Sequence, residues 1–463
     1  MVETAGKGAG RKPELWEAVL ALVVSFGVVV LGIRLKVGMS APLVAGAFAA
    51  GLFGSYLGYT WKDLQQGMMD GIRNSLPAVI ILMLVGMVVG LWILGGAVPT
   101  MVYYGLKLLS PGMFLAAACL LCCVVSTATG TSFGTVSTVG LALMGVGEGL
   151  GVPLAMVAGA IVAGAYFGDK MSPLSDTTNV APAMAGAELF EHVGSMMYTT
   201  IPALAVSLGL YAFLGARFAG GHVDSQAVGA ITDALSKTFR IGLLALVPPL
   251  VVIALSVRRV PAIPSLSFAV AFSGVWAVLT QGADVTSVVR ATMDGYISKT
   301  GTVAVDRLLT RGGLNSMMGT VALILAATAL GGILERTGVL SVVIDAVLER
   351  VRSTGSLIVS VIASCYLVGI VSGNQMLAII LPGRAFKDAF AAREIHARVL
   401  SRTLEDAGTL GTVLIPWSTA GLFVYGMLKV PASAYAPYAF LNWIVPIFSV
   451  IYGYTGFAIF RTR

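Results

Sequence analysis

Apolar runs of about twenty residues recur from one end of the chain to the other, close to the length a helix needs to cross the hydrocarbon core of a bilayer. The first three, at 15–33, 41–58 and 77–97, are uninterrupted. Short polar connections separate the runs, and no stretch has the composition of a soluble domain. Of 463 residues 57% are hydrophobic and 11% charged, against roughly 25% charged in an ordinary soluble domain. The mean hydropathy is +0.91. The expectation is an all-α polytopic membrane protein.

Several chemistries are excluded early. The opening MVETAGKGAGRKPE is basic but lacks a small-residue cleavage site, and the segments after it are equally apolar, so the first helix is expected to stay. Cys119, Cys122, Cys123 and Cys365 lie inside apolar runs, where they read as small hydrophobes rather than as a disulfide or metal framework. Three histidines without HExxH spacing give no zinc site, and no GxxxxGK[ST] loop offers a nucleotide site. No cofactor is expected. Nor is an enzyme, since those histidines cannot assemble a nucleophile, a base and an orienting group. The net charge of +7 comes mostly from loop and terminal Lys and Arg, which suits membrane lipid head groups and not nucleic acid.

Past the third run the pattern turns from plain to broken. The stretch 113–147 is too long for one crossing and is interrupted by VSTATGTSFGTVST; 152–167 runs straight into GDKMSPLSDTTN; 201–218 is plain again. After the polar link AGGHVDSQAVGAITDALSKTFR come 241–257, 261–280 and 317–334, then broken regions at 357–381 and 398–427, then 440–460. The order repeats. MMDG at 68–71 returns as TMDG at 292–295, and LGG at 94–96 returns at 330–332. The reading is a first repeat at 1–218, a polar linker at 219–239 and a second repeat at 240–463. The first holds a re-entrant hairpin at about 111–147 and a broken helix at about 152–183; the second holds them at about 356–382 and 398–427. Each half then crosses five times, and the odd count inverts the second half. Inverted repeats with interrupted helices are the architecture of many secondary transporters, and the interruptions mark the binding site. Lys7, Arg11, Lys12, Arg258, Arg259, Arg350, Arg352, Arg461 and Arg463 are cytoplasmic if the N-terminus is inside, whereas Arg290, Lys299, Arg307 and Arg311 then fall outside. The expectation is N-in and C-in.

Non-helical backbone at membrane depth must be buried in protein or line a wet cavity. In GDKMSPLSDTTN, Pro173 lacks an amide hydrogen and disfavours helix in the residue before it, so a helix is predicted to end near Met171 or Ser172 and to free carbonyls above. The stretch adds the carboxylates of Asp169 and Asp176, the hydroxyls of Ser172, Ser175, Thr177 and Thr178, and the Asn179 amide, the hard-oxygen set that sodium prefers. Acids inside a membrane cost about 2.5–3.5 kcal/mol on insertion scales, so their default reading is functional. The alternative is an aqueous loop with an ordinary Asp169–Lys170 surface pair.

The second half supplies SRTLEDAGTLGTVLIPWSTAG, joining Glu405 and Asp406 to Thr409, Thr412 and Pro416. The hairpins contribute STATGTSFGT, with Thr129 and Thr131, and SGNQ, with Asn374. Gly and Thr are also common packing residues between membrane helices. A carboxylate that binds either a proton or a sodium ion gives exchange by competition. Lys170 reads equally as a substitute cation or as a simple partner.

GDKMSPLSDTTNVAPAMAGAELFEHVGSMMYTTIPA, SGNQMLAIILPGRAFKDAF and LSRTLEDAGTLGTVLIPWSTAG together resemble the NhaC family of sodium/proton antiporters, of the ion transporter superfamily, over nearly the whole chain. That family includes proteins similar to malate/lactate antiporters. The resemblance implies a bacterial inner-membrane protein in which hairpins and broken helices form a mobile, elevator-type transport domain against a scaffold of plain helices, in a homodimer. By motif position it carries over Asp169, Asp176 and Asn179, and Asn374, Glu405 and Asp406.

The expected function is secondary active antiport of Na+ against H+, with ion or proton binding by Asp169, Asp176, Thr177, Asn179, Thr129, Thr131, Asn374, Glu405, Asp406 and Thr409. The alternative is Na+- or H+-coupled exchange of small organic anions such as malate, lactate or amino acids, gripped by Arg384 or Arg402 in bidentate fashion. The structural alternative for both arginines is a lipid-facing or salt-bridging role. A channel is disfavoured because no filter repeat such as TVGYG is present.

Overall fold

The computed structural model describes residues 10–35, 38–219, 225–258 and 260–462. Lys7, Arg259 and Arg463, three of the residues behind the orientation reading, lie outside them, as does 220–224 of the polar linker. Among the described residues the chain is helical, with two isolated β-bridges and no strand. Among them 8 helices are long and apolar enough to cross a membrane, or 10 if two sharply bent pairs each count as one span.

The third helix, Trp61–Leu94, begins 16 residues before the apolar run expected from 77. A capping box nucleates it early: Thr60 Oγ1 accepts from the Asp63 amide at 3.2 Å while Asp63 accepts from the Thr60 amide at 3.1 Å. Pro77 is carried inside the helix. In the second half an N-cap falls at Asp284, 224 residues after Thr60, and opens Val285–Met293. The helix then stops, and a loop stitched by the Tyr296–Arg311 bridge intervenes before Met318–Arg336.

Later landmarks recur at a longer, constant spacing. Gly96 and Gly338, both at φ 78° ahead of a short helix, lie 242 residues apart. Gly130 and Gly373, at φ 68° and 62° in the hairpin tips, are 243 apart, as are Ser175 and Ser418, the N-caps after each break. The loop after Val285–Met293 thus carries an insertion of 18 residues relative to the first half. MMDG and TMDG share the earlier spacing of 224 and are in register. LGG is not: Leu94–Gly96 ends a helix, whereas Leu330–Gly332 lies inside one.

Part of the expected linker is folded. Ser225–Thr238 is a helix that packs Ile231 and Leu235 inward and meets the following helix at 86°.

Trp61–Leu94 and Met318–Arg336 approach as closely as backbones allow. A Cβ at Gly71 would lie 2.1 Å from the Thr328 carbonyl oxygen, and one at Gly332 would lie 2.1 Å from that of Gly67. Small residues at such a crossing replace the hydrophobic driving force that lipid cannot supply. Against this frame the hairpins and broken helices pack together: Pro111–Thr129 with Leu154–Met171 in the first half, and Gln375–Ala391 with Ala397–Leu404 in the second.

Candidate functional site

Each hairpin turns on a left-handed glycine and starts its return helix from a capped residue. Thr131 Oγ1 accepts from the Gly134 amide at 3.2 Å. Asn374 Oδ1 accepts from the Met376 and Leu377 amides at 2.9 and 3.1 Å. These two polar groups are therefore spent on helix termini. Each tip lies on the break of its own half. A Cβ at Gly130 would fall 2.7 Å from Leu174 Cβ, and the Thr419 amide donates to the Gly373 carbonyl at 2.7 Å.

The first break behaves as Pro173 predicts: Leu154–Met171 stops and Asp176–Ala185 resumes. Its loosened carbonyls are largely claimed. Thr178 Oγ1 donates to the carbonyls of Asp169 and Lys170 at 3.0 and 2.9 Å, and Asn179 Nδ2 donates to those of Pro173 and Ser175 at 3.0 and 2.7 Å. Asp176 and Asn179 are exposed. Asp169 is not. Its side chain is buried and accepts from Ser132 of the hairpin and Ser175 of the break, both at 2.6 Å, and Ser175 in turn meets Thr177 at 3.0 Å.

In the second half both acids precede the break, whereas in the first Asp169 precedes it and Asp176 follows it. Glu405–Thr409 is a π-helical turn, a widened turn common at functional sites, and it buries both Glu405 and Asp406 completely. Asp406 Oδ1 takes the Lys170 ammonium at 2.8 Å and the Thr199 hydroxyl at 3.1 Å; Ser449 donates to Oδ2, and Lys170 also donates to Thr200. Glu405 is different. Among the described residues neither carboxylate oxygen has a hydrogen-bond partner, and neither does the hydroxyl of Thr409, although Thr409, Thr177 and Lys170 are its neighbours. An unpartnered carboxylate in such a place is costly unless it holds a proton or a cation.

Asp169, Thr177, Glu405, Asp406 and Thr409 are thus brought together. Thr131 and Asn374 sit at the two tips as caps, and Thr129 sits at the first tip with its hydroxyl unpartnered among the described residues. Arg384 is exposed. Arg402 is fully buried, donating from one terminal nitrogen to the Ala458 carbonyl at 3.0 Å, with Nε and the other nitrogen unpartnered among the described residues. Sequence reasoning singled out none of Ser132, Thr199, Thr200 and Ser449: Ser132 lies in the hairpin stretch among other hydroxyls, and Thr199, Thr200 and Ser449 lie in otherwise apolar helices, where they read as packing residues. The twin Thr199–Thr200 inside MMYTTIPA was the available signal.

Buried carboxylates beside interrupted helices, in an all-helical membrane chain, define a secondary transporter rather than an enzyme. The model of the Na+/H+ antiporter family matches residues 164–457. The Na(+)/H(+) antiporter NhaC of Alkalihalophilus pseudofirmus is 39% identical, over 92% of this chain and 92% of its own. The malate-2H(+)/Na(+)-lactate antiporter of Bacillus subtilis is 37% identical, over 98% of this chain and 97% of its own, and the NhaC antiporter of the same organism is 38% identical over 86% and 88%. The chain belongs to the NhaC family of Na+/H+ antiporters.

Proposed function

We propose that this protein exchanges Na+ for H+ across a bacterial inner membrane by alternating access, with Asp169 and Glu405 as the carboxylates that the two ions contest. The observation that carries this is Glu405: wholly buried, with neither oxygen hydrogen-bonded among the described residues and hydroxyls of both halves beside it. One carboxylate that accepts either ion, never both, couples the two fluxes. Asp169 adds a second oxygen pair, and the hydroxyls of Ser132 and Ser175 can turn lone pairs toward a cation while still donating to the carboxylate.

The recurrent caps at 242–243 residues support two repeats, and an odd number of crossings in each would invert the second. An elevator-type movement of the hairpins and broken helices against the plain helices, in a homodimer with cytoplasmic termini, fits that arrangement.

A second reading, coupled exchange of a small carboxylate, draws on the unpartnered guanidinium nitrogens of Arg402 and on the relative that carries malate and lactate. Proteoliposomes separate the two. A Na+ gradient alone is expected to move protons the opposite way; exchange that starts only on adding malate or lactate would give the second reading the protein.

A further inference from the structure

Three buried acids meet at the site, and their surroundings differ in kind. Lys170 stands in the last turn of Leu154–Met171, and Asp406 stands 236 residues later in the π-turn. Their ammonium and carboxylate meet at 2.8 Å with neither side chain exposed. The donors to Asp406 come from three helices: Lys170, Thr199 of Leu189–Ala219, and Ser449 of Phe440–Thr455. A carboxylate offers about four lone-pair positions, so three donors leave little for a cation.

The chemistry of the donors decides further. A serine hydroxyl beside Asp169 both donates and accepts, so it can help ligate an ion. An ammonium only donates, and its charge repels any cation approaching Asp406. Glu405, one residue away, also has Lys170 as a neighbour, but among the described residues no donor occupies either of its oxygens, so its lone pairs stay open.

We propose that Lys170 and Asp406 form a fixed positioning pair, which locks the first broken helix to the π-turn of the second half and leaves the cation to Asp169 and Glu405. This rests on the exchange reading above. The pair sets one acid against one base, which leaves two carboxylates, Asp169 and Glu405, open to ions. It also fixes where Glu405 stands relative to Thr177, because Lys170 and Thr177 flank the same break.

A buried pair has a distinctive mutational signature. Removing one partner strands a charge in the interior, whereas removing both together is often tolerated. An ion carrier has no such symmetry. The test compares Lys170→Met, Asp406→Asn and the double variant Lys170→Met/Asp406→Asn in proteoliposomes. Asn at 406 can still pair with Thr199 and Ser449. Each single variant is expected to lose about tenfold or more of the Na+-driven proton flux, and the double variant to recover to within about threefold of the unaltered protein.

A purely structural role would also restore folding, so the Na+ concentration for half-maximal flux is read as well. It is expected to be unchanged in the double variant and raised in Asp169→Asn. A well-folded double variant that is as inactive as Asp406→Asn, or whose Na+ requirement rises as in Asp169→Asn, overturns the proposal and makes Asp406 a carrier. If the neutral pair does not fold, the charge-reversed Lys170→Asp/Asp406→Lys replaces it with the same expectations. Unaltered protein that moves no protons under a Na+ gradient removes the exchange reading itself, a result distinct from a failure confined to the double variant.

Discussion

Phe133 and Phe423 stack face to face, with centroids 4.0 Å apart and planes 7° from parallel. Phe133 follows the first hairpin tip and Phe423 lies on the helix after the second break, so the stack ties a tip of one half to a break of the other. It belongs to the same convergence that brings Lys170 to Asp406, and it does so without a polar atom. Phe423 is fully buried. Phe423→Ala is expected to destabilise the protein by about 3–5 kcal/mol, and Phe133→Ala, at a half-buried position, by less. Thermal unfolding in detergent checks the order.

Glu405→Gln is expected to abolish exchange to the empty-vesicle background while leaving the melting temperature equal or higher. Among the described residues no hydrogen bond of ordinary geometry reaches the carboxylate, and the hydroxyls beside it are those of Thr177 and Thr409, so a neutral isostere forfeits little and removes a buried acid. Flux and unfolding measured on one preparation decide it. An active variant would remove Glu405 from the site.

Ser132 donates to Asp169 across the gap between hairpin and broken helix. Hydrogen bonds to charged groups contribute about 1.5–3 kcal/mol, so Ser132→Ala is expected to raise the Na+ concentration for half-maximal flux by roughly ten- to a hundredfold. The maximal rate should change less.

Gly71→Leu is expected to disrupt the crossing of Trp61–Leu94 and Met318–Arg336, because even its Cβ would fall 2.1 Å from the Thr328 carbonyl oxygen. Overpacking of this kind costs about 1–3 kcal/mol or more. Gly27→Leu is the control, since nothing lies within 4 Å of a Cβ there. Yield and melting temperature of the two variants should diverge.

The inserted loop supplies a pH response away from the ion site. Asp306 accepts from the Thr300 amide at 2.7 Å, from the Ser298 and Thr300 hydroxyls at 2.8 Å, and from the Gly301 amide at 3.2 Å. Chiefly through the Thr300 amide, these donors hold its carboxyl below the usual range. A depressed value contributes stability above the unfolded value of about 3.9, and that contribution is lost as pH falls through the folded one. Protection of the amides in 296–311, measured relative to their intrinsic exchange rates at each pH, is therefore expected to fall on acidification through that window. Asp306→Asn should remove the response.

Much of this was legible in the sequence, for reasons that can be named. Membrane crossing follows from run length, the first break follows from Pro173, and the hairpin tips follow from Gly130 and Gly373, which the structure holds left-handed. What a one-dimensional reading could not assign is direction. Asp176 and Asp169 lie in the same polar stretch, yet the helix that resumes at Asp176 turns that side chain outward while Asp169 faces inward. Nor does spacing reveal the π-turn in which adjacent Glu405 and Asp406 are both buried. The capping box at Thr60 likewise outweighed hydropathy in setting where the third helix begins.

Competition of two cations for Glu405 is tested most directly by titrating detergent-solubilised protein with Na+ in weakly buffered solution and reading proton release. Contest for one carboxylate predicts protons released in step with Na+ bound, and neither signal from Glu405→Gln. Sodium that binds without releasing a proton, or releases it equally from Glu405→Gln, would contradict it.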